Sequence, residues 1–123
     1  MEPIKQFELS KEYLESLRLG IEGEEIDFIR ESLDGVNVAD IAALLDELSM
    51  QESIYVLRLL EKQFSADILI ELDEDTLVKV LPELEVPEIA SWIELMDSDD
   101  GADILSLFGE REREEVIAEI QDR

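Results

Sequence analysis

The sequence predicts an all-α fold, a superhelix (solenoid) of short antiparallel helices built on a 12-residue helical repeat. Three observations predict it. From Asn37 onward, apolar residues recur at the same places in seven successive units. Those places, the eighth, ninth and twelfth of each unit, stand at i, i+1 and i+4, which is one stripe of a helix and not the alternation of a strand. Several units also open on residues that accept hydrogen bonds from free backbone N–H groups.

The chain divides unevenly. Residues 1–9 hold Pro3 and no periodic pattern, and read as a flexible lead-in; residues 10–123 read as a single superhelical domain. Ser10 is placed to cap a helix carrying Tyr13, Leu14, Leu17 and Leu19 and ending near Gly20. After Gly23, the residues Ile26, Phe28, Ile29 and Leu33 mark a second helix that stops at Gly35.

The repeat then begins, with units starting at Asn37, Ser49, Glu61, Asp73, Glu85, Asp97 and Gly109. Their eighth residues are Leu44, Val56, Ile68, Val80, Trp92, Ile104 and Val116. The ninth are Leu45, Leu57, Leu69, Leu81, Ile93, Leu105 and Ile117, and the twelfth Leu48, Leu60, Leu72, Leu84, Met96, Phe108 and Ile120. Asn37, Ser49 (with Glu52 completing a capping box), Asp73 and Asp97 supply cap chemistry, and Pro87 falls in a first turn where proline is tolerated. Each unit leaves room for one helix of about 9 residues and a tight turn, so neighbouring helices fold back on each other. Helices that short draw their stability from stacking.

Charge bounds the function. With 34 acids against 10 bases the net charge is −24, while a hydrophobic fraction of 46% is that of a globular chain. Such a surface repels nucleic acid and anionic lipid and favours cations or a basic partner. The absence of Cys and His removes disulfides, imidazole catalysis and the usual zinc ligands. No apolar run approaches the roughly 20 residues of a membrane helix, and Met1–Lys5 lacks the order of a secretion signal. These features predict a cytoplasmic location without direct membrane insertion. No Gly-rich phosphate loop or marked catalytic carboxylate pair is present, and no enzyme is expected. Trp92 lies on the core stripe and reads as packing.

The acids cluster most densely from Asp97 to Asp103. Asp99 and Asp103 are four residues apart and share one helix face; Asp67 holds the seventh place of its own unit, as Asp103 does. Two like charges about 5 Å apart repel by about 0.8 kcal/mol in bulk water, and more where water is partly excluded. An oxygen-only set of this kind suits a hard cation, Mg²⁺ or Ca²⁺. Counting from Asp97 puts Gly101 fifth and Phe108 twelfth, which breaks the EF-hand pattern; Mg²⁺ needs only one or two carboxylates plus retained waters. Any apolar stripe left uncovered at the ends, around Phe108, Val116 and Ile117, is a candidate docking face.

The units Val38–Leu48, Ser65–Leu72 and Asp99–Leu105 resemble the cytosolic N-terminal domain of MgtE-type magnesium channels and transporters, over about residues 11 to 120. The resemblance implies a superhelix followed in that family by paired CBS domains, a connecting helix and a membrane pore. It further implies that the acidic face binds Mg²⁺ together with CBS domains of the same polypeptide or of a dimer mate. Bridged domains would favour a closed pore, and repulsion would part them when Mg²⁺ falls. Asp99 and Asp103 align with family acids that hold such ions, and Asp67 with another acid, often Glu. The full-length protein is expected to be a homodimer, with this chain an excised domain or a stand-alone relative. The isolated domain should bind Mg²⁺ weakly, since each site needs two surfaces. A second similarity, to the armadillo-like middle domain of the flagellar motor switch protein, implies a helical interaction scaffold; a chain without His lacks the Glu-His-Pro-Gln type of motif.

Overall fold

Each repeat unit opens at the N-cap of a helix. The computed structural model describes residues 11–122, and the lead-in over 1–9 and the Ser10 cap lie outside them. Among the described residues there are nine α-helices and no strand. Two precede the repeat, α1 (Lys11–Glu22) and α2 (Ile26–Leu33). Seven build it: α3 (Val38–Glu47), α4 (Met50–Leu59), α5 (Lys62–Glu71), α6 (Glu74–Val80), α7 (Val86–Ile93), α8 (Ser98–Leu105) and α9 (Glu110–Gln121). Their N-caps are Asn37, Ser49, Glu61, Asp73, Glu85, Asp97 and Gly109, the first residue of every unit.

Cap chemistry is present at two of the four expected places. Asn37 accepts from the Ala39 N–H at 2.8 Å, and Ser49 and Glu52 form a full capping box. Asp73 and Asp97 occupy N-cap positions, but neither side chain makes a capping hydrogen bond. Pro87 lies in the first turn of α7. A 3₁₀ turn, Leu81–Glu83, ends α6 early at Pro82, whose ring cannot continue an α-helix.

The eighth position is the spine of the core: all seven residues are buried, Trp92 among them. The ninth position is buried through Ile93, half-buried at Leu105 and exposed at Ile117. A further buried row runs through the fifth position, as Ile41, Ser53, Ser65, Leu77, Ile89 and Gly101. Places 5, 8, 9 and 12 stand at i, i+3, i+4 and i+7, the full width of an amphipathic stripe. Of the docking candidates at the C-terminal end, Val116 is fully buried and belongs to the core.

Within the repeat, the most extensive packing links alternate helices, α3 with α5, α5 with α7 and α7 with α9, with α4 against α6 in a second row. Successive repeat helices touch less, whereas α1 and α2, ahead of the repeat, pack directly on each other. A helix of ten residues is too short to bury its stripe on one neighbour, so stacking along the row supplies the rest. Two-row stacking is compatible with the expected superhelix.

The first two helices depart from expectation in one respect. Gly20 does not end α1; it is a buried residue inside it, and a Cβ there would come within 2.7 Å of Phe28 Cδ2. The glycine is the close-approach point of α2 on α1, and Leu19 beside it points to solvent, 66% exposed. The second stop is as expected: Gly35 takes φ +77 just past the C-cap of α2. Arg18 ties α1 to the repeat, donating from Nη2 to the Glu47 carbonyl at 2.9 Å and pairing with Glu52 at 3.3 Å. Arg30 of α2 donates to the Leu59 carbonyl at 3.2 Å.

Candidate acidic cation site

Asp99 and Asp103 stand one turn apart on α8, both exposed. The helix places them there because its other face is engaged: Gly101 and Ile104 are buried, and a Cβ at Gly101 would lie 3.2 Å from Ile93 Cγ2. A methyl at 101 would require Ile93 to give by a few tenths of an ångström, and the burial of the Gly101–Ile104 face turns Asp99 and Asp103 outward.

The structure surrounds Asp103 with more than the sequence indicated. An open depression of about 280 Å³ is lined by Asp103, Asp100 and Glu74, with Ile70, Leu72, Leu77 and Ile104 among its apolar walls. Neither Asp100 nor Glu74, which arrives from α6, is marked by the repeat pattern. The signal for Asp100 was present in its adjacency to Asp99, but that for Glu74 needed the packing of α6 beside α8.

Asp67 is elsewhere. It is half-buried on α5, accepts from Gln63 Nε2 at 3.0 Å, and lines a depression of about 770 Å³ with Arg30, Leu33, Asp34 and Phe64. The structure therefore brings Asp103 together with Asp100 and Glu74, and does not bring Asp67 to the same depression. Among the described residues, no group of three Asp or Glu converges as the ligands of one metal ion.

The donor set can still be tested against Mg²⁺ on its chemistry. Exposed carboxylate oxygens at one-turn spacing, with room for waters, fit an ion that keeps most of its hydration shell and takes one or two carboxylates from a surface. The surroundings leave the charge largely uncompensated. The inter-helix ion pairs of the described residues, Arg18–Glu52 and Arg58–Glu88, lie on other helices, and Arg111–Glu115 is local to α9. Arg58 is committed to Glu88 through two bonds of 2.9 and 3.1 Å, and that pairing raises its pKa further.

A different acid shows the cost of burying charge in this fold. Asp46 at the end of α3 has its carboxyl pKa raised by partial burial, opposed by hydrogen bonds from Thr76 and the Asp73 N–H, and reinforced by the Asp73 charge.

The sequence matches the family described as the MgtE intracellular N domain over residues 36–123. Helices α1 and α2 precede the matched span. A solved structure described as the soluble part of a magnesium transporter is similar, with a TM-score of 0.48 and 16% identity, over 92% of this chain and 50% of that one. This chain thus spans half the length of that relative. No curated protein matches. Among the described residues, no helix is long and apolar enough to cross a membrane.

Proposed function

This chain belongs to the family of MgtE intracellular N domains, and from that premise we propose that it is a cytosolic Mg²⁺-sensing regulatory domain of a magnesium transporter. The observation that carries the reading is the exposed Asp99–Asp103 pair on α8, opposite the buried Gly101–Ile104 face of the same helix. Asp99 and Asp103 act as ligands for one hydrated Mg²⁺, completed by a second surface on CBS domains of the same polypeptide or of a dimer mate. Asp67, in its separate depression, serves another ion. The domain's role is regulatory and not catalytic, at the cytoplasmic face of the membrane that holds the pore.

The physics of switching follows from charge. At −24, this domain repels any acidic surface brought against it. A cation shared between the surfaces removes that repulsion and adds an attraction, so Mg²⁺ and docking favour each other by the same factor. Several carboxylate pairs, each worth about 1 kcal/mol or less where water has access, together supply a few kcal/mol of bias. Acids that face water at low Mg²⁺ thus become the docking contacts at high Mg²⁺.

Thermal unfolding in MgCl₂ against NaCl of equal ionic strength tests the reading. Mg²⁺ should raise the melting temperature beyond the NaCl control, and Asp99→Asn with Asp103→Asn should abolish that excess. An equal excess in the double variant would leave the acids with a solubilising role only, as in a helical scaffold.

A further inference from the structure

The two acidic depressions differ in the charges that line them. Asp103, Asp100 and Glu74 line the smaller one, and no Lys or Arg is among its described lining residues. The larger one has carboxylates from Asp34, Glu61 and Asp67, but Arg30 lines it with them. None of these acids takes part in the ion pairs of the described residues. Arg30 thus shares a depression with three acids without being consumed by any one of them.

Helix α2 holds Arg30 in place. The residue stands in the last turn of that helix, where a cation is favoured beside free carbonyl groups, and its Nη2 donates to the Leu59 carbonyl at 3.2 Å. Tyr13 of α1 anchors the same end of α2 by donating to the Ser32 carbonyl. Gln63 satisfies one oxygen of Asp67 at 3.0 Å but brings no charge. The fixed positive charge in this depression is therefore the guanidinium of Arg30.

We propose that Arg30 is a built-in competitor for the cation at Asp67, setting that ion's threshold above the one at Asp99 and Asp103. The inference rests on the reading of Asp67 as ligand of a second ion, and it names how that site is regulated. The guanidinium needs no direct contact with Asp67 to act. A fixed positive charge about 9 Å from a divalent ion in water weakens its binding at least about twofold at an ionic strength of about 0.05 M, and more where water is partly excluded. Two depressions of unlike charge then fill in order, α8 first and Asp67 second. The domain reads two Mg²⁺ levels instead of one.

Amide shifts of the whole 123-residue chain through an MgCl₂ titration at a constant ionic strength of about 0.05 M test this order. In the wild type the shifts around Asp99 and Asp103 should saturate in the millimolar range, with those around Asp67 following at higher Mg²⁺. Arg30→Gln should lower the Asp67 midpoint at least about twofold and leave the α8 midpoint where it was. Arg30→Lys, which keeps the charge, should leave both unchanged. At an ionic strength of about 0.5 M the gap between wild type and Arg30→Gln should close, whereas a role confined to clamping α2 on Leu59 would be indifferent to salt. Equal Asp67 midpoints in wild type and Arg30→Gln would overturn the proposal, as would an Asp67 response that precedes the α8 response in the wild type. Silence at Asp67 in every variant, with α8 still responding, would overturn it and leave the reading of Asp99 and Asp103 standing. Silence at both places would remove the Mg²⁺ reading itself and the proposal with it.

Discussion

Ser53 on α4 donates its hydroxyl proton to the carbonyl oxygen of Leu45 on α3 across 2.8 Å, in an interior where neither group meets water. The bond stitches one unit to the next at a point where a larger side chain would hold the two helices apart. Its counterpart one unit on, from Ser65 to Leu57, has the same sequence separation.

Removing that hydroxyl should cost a definite amount. Ser53→Ala is expected to destabilise by about 0.5–1.5 kcal/mol, the net worth of an intramolecular hydrogen bond. The Leu45 carbonyl keeps one partner, the Leu48 N–H at 3.1 Å, which holds the loss within that range. Ser53→Leu should cost more, because the site is close-packed. Urea unfolding of both variants checks the order.

Position within the unit should decide the cost of truncation. Leu44→Ala, at the fully buried eighth place, is expected to lose about 2–5 kcal/mol. Ile117→Ala, at the exposed ninth place of the last unit, should lose well under about 1 kcal/mol, as surface substitutions do. Denaturation midpoints compared at one pH give the ratio.

Asp46 makes a pH-dependent prediction. Its carboxyl pKa is raised by burial, so the folded state holds the proton more tightly than the unfolded chain. Protonated Asp46 therefore contributes stability at pH below the ordinary carboxylate value of about 3.9, and that contribution is lost as pH rises through the raised value. At neutral pH the charged form opposes folding. Asp46→Asn keeps an acceptor for Thr76 and the Asp73 N–H while removing the charge, so it should stabilise the protein at pH 7. The gain should shrink to nothing as the pH falls below that ordinary value. A gain that persists unchanged in acid would assign the effect to packing instead.

The period of the fold was legible because apolar residues mark it without interruption from Leu44 to Ile120, and a helix is the only element that gathers i, i+1 and i+4 on one side. The fifth position was not legible for the opposite reason. Ser53, Ser65 and Gly101 look like surface residues in a sequence, and only the carbonyl or side chain waiting on the preceding unit explains their burial. Packing between alternate helices was equally hidden, since it depends on the angle of each short turn. In the candidate site, the juxtaposition of Asp99 and Asp103 follows from helical spacing alone. The company each acid keeps does not: Glu74 of α6 shares a depression with Asp103 of α8, and Arg30 of α2 shares one with Asp67 of α5, because helices far apart in sequence are folded side by side.

Amide chemical shifts during a Mg²⁺ titration at constant ionic strength read the proposed coordination of Mg²⁺ by Asp99 and Asp103. A weak, saturable response in the millimolar range is expected, confined to α8 and its neighbours around Asp99 and Asp103, and absent when both are changed to Asn. A response spread evenly over the acidic surface, or one that survives in the double variant, would contradict it.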